Sequence, residues 1–146
     1  MTNIDVDIKG LDRAVNKLKN MPDRLQKNMN KAMELSLLRL WEAVRPYPPK
    51  PTNSKYRRTG TLGRSLGSSQ SGGKTGGKPT VYSVTGTGRS TKGTFGTNLS
   101  YAKYVIDPQK QAYMHSGRWW TMDSIKKDAL PKIKKVFYEM VKAILK

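Results

Sequence analysis

A glycine-rich run, SSQSGGKT at Ser68 to Thr75, comes near a phosphate cradle, in which glycines bare backbone N–H groups and a lysine follows. Ser68 stands where that cradle needs its first glycine, and Gly67 is one position early. Gly76-Gly77-Lys78-Pro79 also forbids the helix N-terminus that must follow. The run reads instead as a flexible tip. His115 is the chain's single histidine and there is no cysteine, so a metal site would rest on Asp107 and Asp123, the nearest carboxylates. Among ten acids, only Asp5 and Asp7 stand in a plausible dyad, and their place opposite Ile4, Val6 and Ile8 points them to solvent. Ser65, Ser83 and Ser116 have no legible His–acid arrangement. No catalytic, metal-binding or cofactor-binding residue is assigned, and no enzyme is expected.

Binding is the chemistry that remains. Net charge is +18, and no acid occurs between Glu42 and Asp107. That interval carries Lys50, Lys55, Arg57, Arg58, Arg64, Lys74, Lys78, Arg89 and Lys92, the residues expected to face a polyanion, either DNA or acidic protein. Phe95 to Trp120 adds six aromatics within 26 residues, which must meet a core or a partner. On a strand Trp119 and Trp120 point to opposite faces, and one is a candidate for a contact outside the chain unless a helix covers that second face. Tyrosines interleaved with cations would also suit phosphate neutralisation plus base stacking, although no helix-turn-helix, zinc finger or paired-aromatic sheet motif is present.

At 146 residues and 36% hydrophobic content, one domain with a modest core is expected, its elements separated by long loops. No run approaches the roughly 18 apolar residues of a membrane span. Acids in the first ten residues do not suit a signal peptide, so the chain is expected to be intracellular or assembled inside a cell. Ile4, Val6 and Ile8 alternate with polar residues as in a half-buried strand. Leu11 to Lys19 reads as a short helix. Leu25, Met29, Met33, Leu37, Leu40 and Val44 mark a long helix over 23–45, stopped by Pro46. Residues 46–58 form a stiff, proline-rich arm or loop. Thr59 to Leu66 suits a short helical turn, and 67–79 and 86–93 read as flexible basic tips without core side chains. Strands are predicted over 81–85 and 94–106. A last helix, capped by Thr121 or Asp123, carries Ile125, Ala129, Ile133 and Phe137 on one face, and it either kinks at Pro131 or starts anew there. The expected class is α+β: an antiparallel sheet with the long helix and the C-terminal helix packed on one face, and extended basic loops.

Three pieces in order carry a resemblance: Ile8-Lys9-Gly10-Leu11, then Thr59-Gly60-x-Leu62-x-x-Ser65-Leu66, then Gly96-Thr97 followed by Tyr101-Ala102-x-Tyr104-Val105. The segment Gln111 to Thr121 continues the match, which covers nearly the whole chain. The chain resembles the head–tail joining family of tailed double-stranded DNA phages, described as neck, tail-completion or minor tail-component proteins. It departs from the family at Arg58, where members often have an acid, and at Ile106-Asp107-Pro108, where many have an acid and a Gly-Thr turn.

The resemblance implies a non-catalytic virion protein, made in the host cytoplasm and assembled as a homo-oligomeric ring of six copies, with twelve as the alternative. Its neighbours would be a head connector or stopper and a tail terminator or tail tube, with non-specific contact to the passing DNA and no membrane. The subunit-interface residues assigned on this basis are Tyr47, Tyr56, Thr59, Gly60, Leu62, Tyr101, Tyr104, Trp119 and Trp120. The arms are expected to become ordered on docking. The alternative is a stand-alone basic DNA- or RNA-binding module.

Overall fold

The computed structural model of the chain describes residues 2–7, 22–87 and 90–144. Strands β1 (Thr2–Asp7), β2 (Val81–Thr87) and β3 (Ser90–Thr97) form an antiparallel sheet in the order β1-β3-β2. The described helices are α1 (Pro22–Glu42), α2 (Thr61–Ser65), α3 (Ala102–Ile106) and α4 (Met122–Ile144). Helix α1 lies across β3 and β2, while α4 packs along α1 and reaches β1. The fold is α+β, with both long helices on one face of the sheet.

Alternation in the strands selects that face. Thr2 and Ile4 are buried, and Asn3, Asp5 and Asp7 are exposed. Ile4 on one side and Tyr82 on the other stand opposite Phe95, the largest fully buried side chain. Helix α1 comes down directly on Gly93, where a Cβ would sit 2.6 Å from Met33 Sδ. On the outer face Asp5 accepts a 2.9 Å hydrogen bond from Thr94 and lies 3.5 Å from the Lys92 ammonium. Met29, Met33, Leu37, Leu40, Leu66, Ile106 and Ile125 are fully buried, each worth roughly 1.5–3 kcal/mol of transfer free energy.

Thr121 and Ser124 cap α4 reciprocally, each backbone N–H donating to the other's hydroxyl, at 3.2 and 3.4 Å. The helix then runs unbroken through Pro131. It is antiparallel to α1. Arg45 meets Asp128 at 2.6 Å at one end, and Leu25 and Met29 pack with Met140 and Ile144 at the other.

Several sequence expectations need correction. The strand predicted over 94–106 stops at Thr97, and Ala102–Ile106 is helical. Buried Ala102 and Ile106 are four apart with Tyr101 and Tyr104 exposed, a helical spacing rather than an alternating one. The sheet therefore does not contain Tyr101 to Ile106. The tip expected at 86–93 is mostly ladder, since Gly86 pairs with Thr91 and Val84 with Gly93, and Thr91 and Gly93 turn inward under α1. Residues 67–79 do contribute to the core. Gly67, Ser68 and Pro79 are buried, Gly67 O accepts the Trp41 indole N–H at 2.6 Å, and Gln70 O accepts the Tyr47 amide at 2.8 Å. Gly67 has φ 71°, and a Cβ there would sit 2.6 Å from Trp41 Nε1, so both backbone and space demand glycine. The helix predicted over Leu11 to Lys19, the strand position Ile8 and the cation Arg89 lie outside the described residues.

Candidate interaction site

The short helix α3 starts the site. Its buried side, Ala102 and Ile106, fastens it to the core and leaves Tyr101 and Tyr104 facing out, 43% and 51% exposed. Asp107 then makes an Asx turn, its Oδ1 accepting the amides of Gln109 (2.8 Å) and Lys110 (3.3 Å). The chain doubles back, with Ala112 N–H donating to Tyr104 O and the Gln111 side-chain amide donating to Val105 O and Trp119 O. Residues 112–119 close on themselves through Trp119 N–H to His115 O at 2.9 Å. Trp119 and Trp120 are therefore on a turn, not a strand, and the alternating-face inference fails with its premise.

Both tryptophans are held within the chain. Trp120 is 8% exposed and donates its indole N–H to Pro46 O at 3.0 Å. Trp119 is half-buried against Tyr47, with ring centroids 4.9 Å apart, and the Arg58 guanidinium lies 5.4 Å from the Trp119 centroid and 5.7 Å from that of Tyr47. Arg58 also donates to Pro48 O, and Arg118 to Pro49 O at 3.4 Å. These contacts tie both roots of the proline-rich arm to the body. Between them 50–57 is exposed throughout, so the arm is a loop anchored at two ends rather than a free extension.

A pocket of about 610 Å³ opens between this loop, α3 and the 112–119 turn. Tyr56, Tyr101, Tyr104 and Met114 line it with their apolar surface, Lys50, Arg58 and Arg118 with their charge, and Trp119 is also part of the lining. Tyr56 and Met114 are 73% and 68% exposed. Burial first, and the neighbouring Arg118 second, hold the His115 imidazole below its ordinary pKa. Burial likewise pushes the Tyr101 and Tyr47 phenols up. The arrangement offers flat apolar rings with cations between them and no carboxylate in the lining.

Four residues predicted at a subunit interface, Tyr56, Tyr101, Tyr104 and Trp119, meet at this pocket. Two others, Leu62 and Trp120, are buried in the chain's own core. Gly60 is buried at the start of α2, Thr59 shares a 2.8 Å hydroxyl contact with Thr61, and Tyr47 accepts the Gly63 amide at 2.6 Å. The cations divide too. Lys50 and Arg58 are at the pocket, Lys55 and Arg57 are exposed on either side of Tyr56, and Arg64 is exposed on α2. Lys74 lies 3.9 Å from Glu42 and over Trp41, Lys78 lies over Tyr82, and Lys92 is near Asp5. Sequence reasoning missed Met114, His115 and Arg118 as pocket residues, because a turn has no periodicity to say which side chains face out.

No family model, curated protein or solved structure matches this chain. Among the described residues, no three His, Cys, Asp or Glu gather as metal ligands, and no helix is long and apolar enough to cross a membrane.

Proposed function

We propose that this chain is a structural subunit of a phage head–tail junction, closing into a ring of six or twelve copies between head connector and tail. The supporting observation is the pocket rimmed by Tyr56, Tyr101, Tyr104 and Met114, an exposed apolar surface of the kind that marks protein contact. Its lining carries cations only. A separate cleft, lined by Asp107 to Gln109 with Asp5 and Asp123, carries three acids against Lys126. A chain bearing two unlike surfaces of this kind suits head-to-tail contact, which closes into rings. Two of the three segments that carry the family resemblance also meet, since Ser65 Oγ lies 2.7 Å from Thr97 Oγ1.

Replacing Tyr56 and Tyr104 by Ala should weaken assembly by about tenfold or more, the usual effect of truncating interface tyrosines. Stability of the free subunit should change by less than about 0.5 kcal/mol per site, since both side chains are largely exposed. Sedimentation of the wild-type and variant chains over a concentration series measures the first, and urea unfolding the second. Unchanged assembly in the double variant would remove the pocket from the ring contact.

The second reading, a nucleic-acid module, draws on Lys55 and Arg57 flanking the exposed Tyr56. Salt titration separates the two. A dedicated binder loses affinity steeply on a log–log plot from a submicromolar start, whereas a ring subunit binds DNA weakly and without sequence preference.

A further inference from the structure

A second surface lies well away from the pocket's residues. The antiparallel pair α1 and α4 leaves a groove of about 670 Å³ lined by residues of these two helices alone. Ala32, Leu35, Val136, Met140 and Ala143 supply its apolar lining, and Leu35 is 39% exposed among the described residues. Lys31, Arg39, Lys132 and Lys135 stand in the same lining, against Glu139 alone. Arg39 is held by Glu42 at 2.9 Å. Among the described residues, Lys31, Lys132 and Lys135 have no carboxylate within ion-pairing distance.

We propose that this groove docks an acidic amphipathic helix of a partner protein. The groove follows residues 28–39 of α1 and 132–143 of α4, about three helical turns and roughly 16 Å. That length accepts a helix anchored by apolar residues at i, i+3 or i+4, and i+7. Asp or Glu flanking those anchors would meet the unpaired lysines, which favours encounter and rejects basic partners. A second copy of this chain fits poorly, because the exposed residues of α4 include Lys126, Lys127, Lys132, Lys134, Lys135 and Lys142, and like charges would face each other. Nucleic acid fits poorly as well, since the lining holds no aromatic ring for a base to stack on. The inference stands apart from the ring reading and does not depend on it.

The test is fluorescence anisotropy of the full chain against three labelled synthetic peptides of about four helical turns. One carries Leu on a single face flanked by Glu. The second has the same composition with the leucines scattered, and the third has Lys in place of Glu. The first should saturate at one peptide per chain with micromolar affinity, and the others should bind at least about tenfold more weakly. Lys132→Glu with Lys135→Glu should weaken the first peptide by about tenfold, and Leu35→Glu by at least as much, while Lys92→Glu on the outer sheet face changes nothing. Circular dichroism checks each variant's fold. The lysine pair, exposed and without an ion-pair partner among the described residues, serves if Leu35→Glu unfolds. Equal binding of the scattered peptide, an effect of Lys92→Glu matching that of the lysine pair, self-association abolished by Leu35→Glu, or no binding of the first peptide at about 100 μM would each overturn the proposal.

Discussion

Ser65 donates to Leu62 O at 2.7 Å and sits 2.7 Å from the Thr97 hydroxyl, with both side chains closed to solvent. Removing one member costs its partner one of two hydrogen bonds in a buried setting, since Thr97 Oγ1 also accepts the Leu99 amide at 3.2 Å. Ser65→Ala should therefore cost about 1–2 kcal/mol in urea unfolding, and adding Thr97→Val should cost less than the sum of the two singles. His115 makes a different kind of prediction. Its Nδ1 is buried without a hydrogen-bond partner, and burial with Arg118 holds its pKa down. The unfolded chain, titrating near about 6.5, then binds the proton more readily than the folded one. The contribution of the neutral imidazole is full above that value and is lost as pH falls through the lower folded-state pKa. As the chain's only histidine, it gives one imidazole resonance in an NMR titration, with a midpoint expected below about 6.5. A midpoint at or above that value would mean that the 112–119 turn leaves the ring in water.

Among the elements, α4 is the sharpest case. Pro131 is exposed in the middle of a continuous helix, where it withdraws an N–H from the ladder and crowds the carbonyl four residues back. Pro131→Ala should stabilise the chain by roughly 1–3 kcal/mol, read as a higher unfolding midpoint. A neutral result would place Pro131 at a helix start, one of the two possibilities the sequence leaves open. Both long helices were legible from their apolar spacing because burial along them is periodic, from Leu25 to Trp41 and from Ile125 to Ile133, although α1 ends at Glu42, short of the 45 predicted. Strand β1 was legible for the same reason with a period of two. The segment 94–106 was not, because Phe95 and Thr97 alternate and Ala102 and Ile106 do not, yet both halves are rich in β-favouring aromatics. Residues 67–72 escaped because their contacts run through backbone carbonyls, to Trp41 and Tyr47, and composition cannot report those. The pocket was half legible. The tyrosines announced themselves, but the turn that brings Met114, His115 and Arg118 beside them is closed by hydrogen bonds between residues of no fixed spacing.

For the whole molecule, a net charge of +18 is arranged rather than spread. Asp5 meets Lys92 on the outer sheet face, and Asp5, Asp107 and Asp123 share a cleft with Lys126, while the charged groups of the anchored loop and pocket are all cations. Loop 50–57 is exposed between two fixed roots, so docking would order a short span rather than a whole arm, at a correspondingly smaller entropic cost. Ring closure through unlike surfaces is the claim on which the functional proposal depends. Electron microscopy of assembled particles, with this chain tagged, tests it most directly. The account predicts a closed ring of six or twelve copies at the head–tail junction, with the Tyr56–Tyr104 pocket of each copy against its neighbour. Finding the chain away from that junction, or there as separate monomers with the pocket open to solvent, would contradict it.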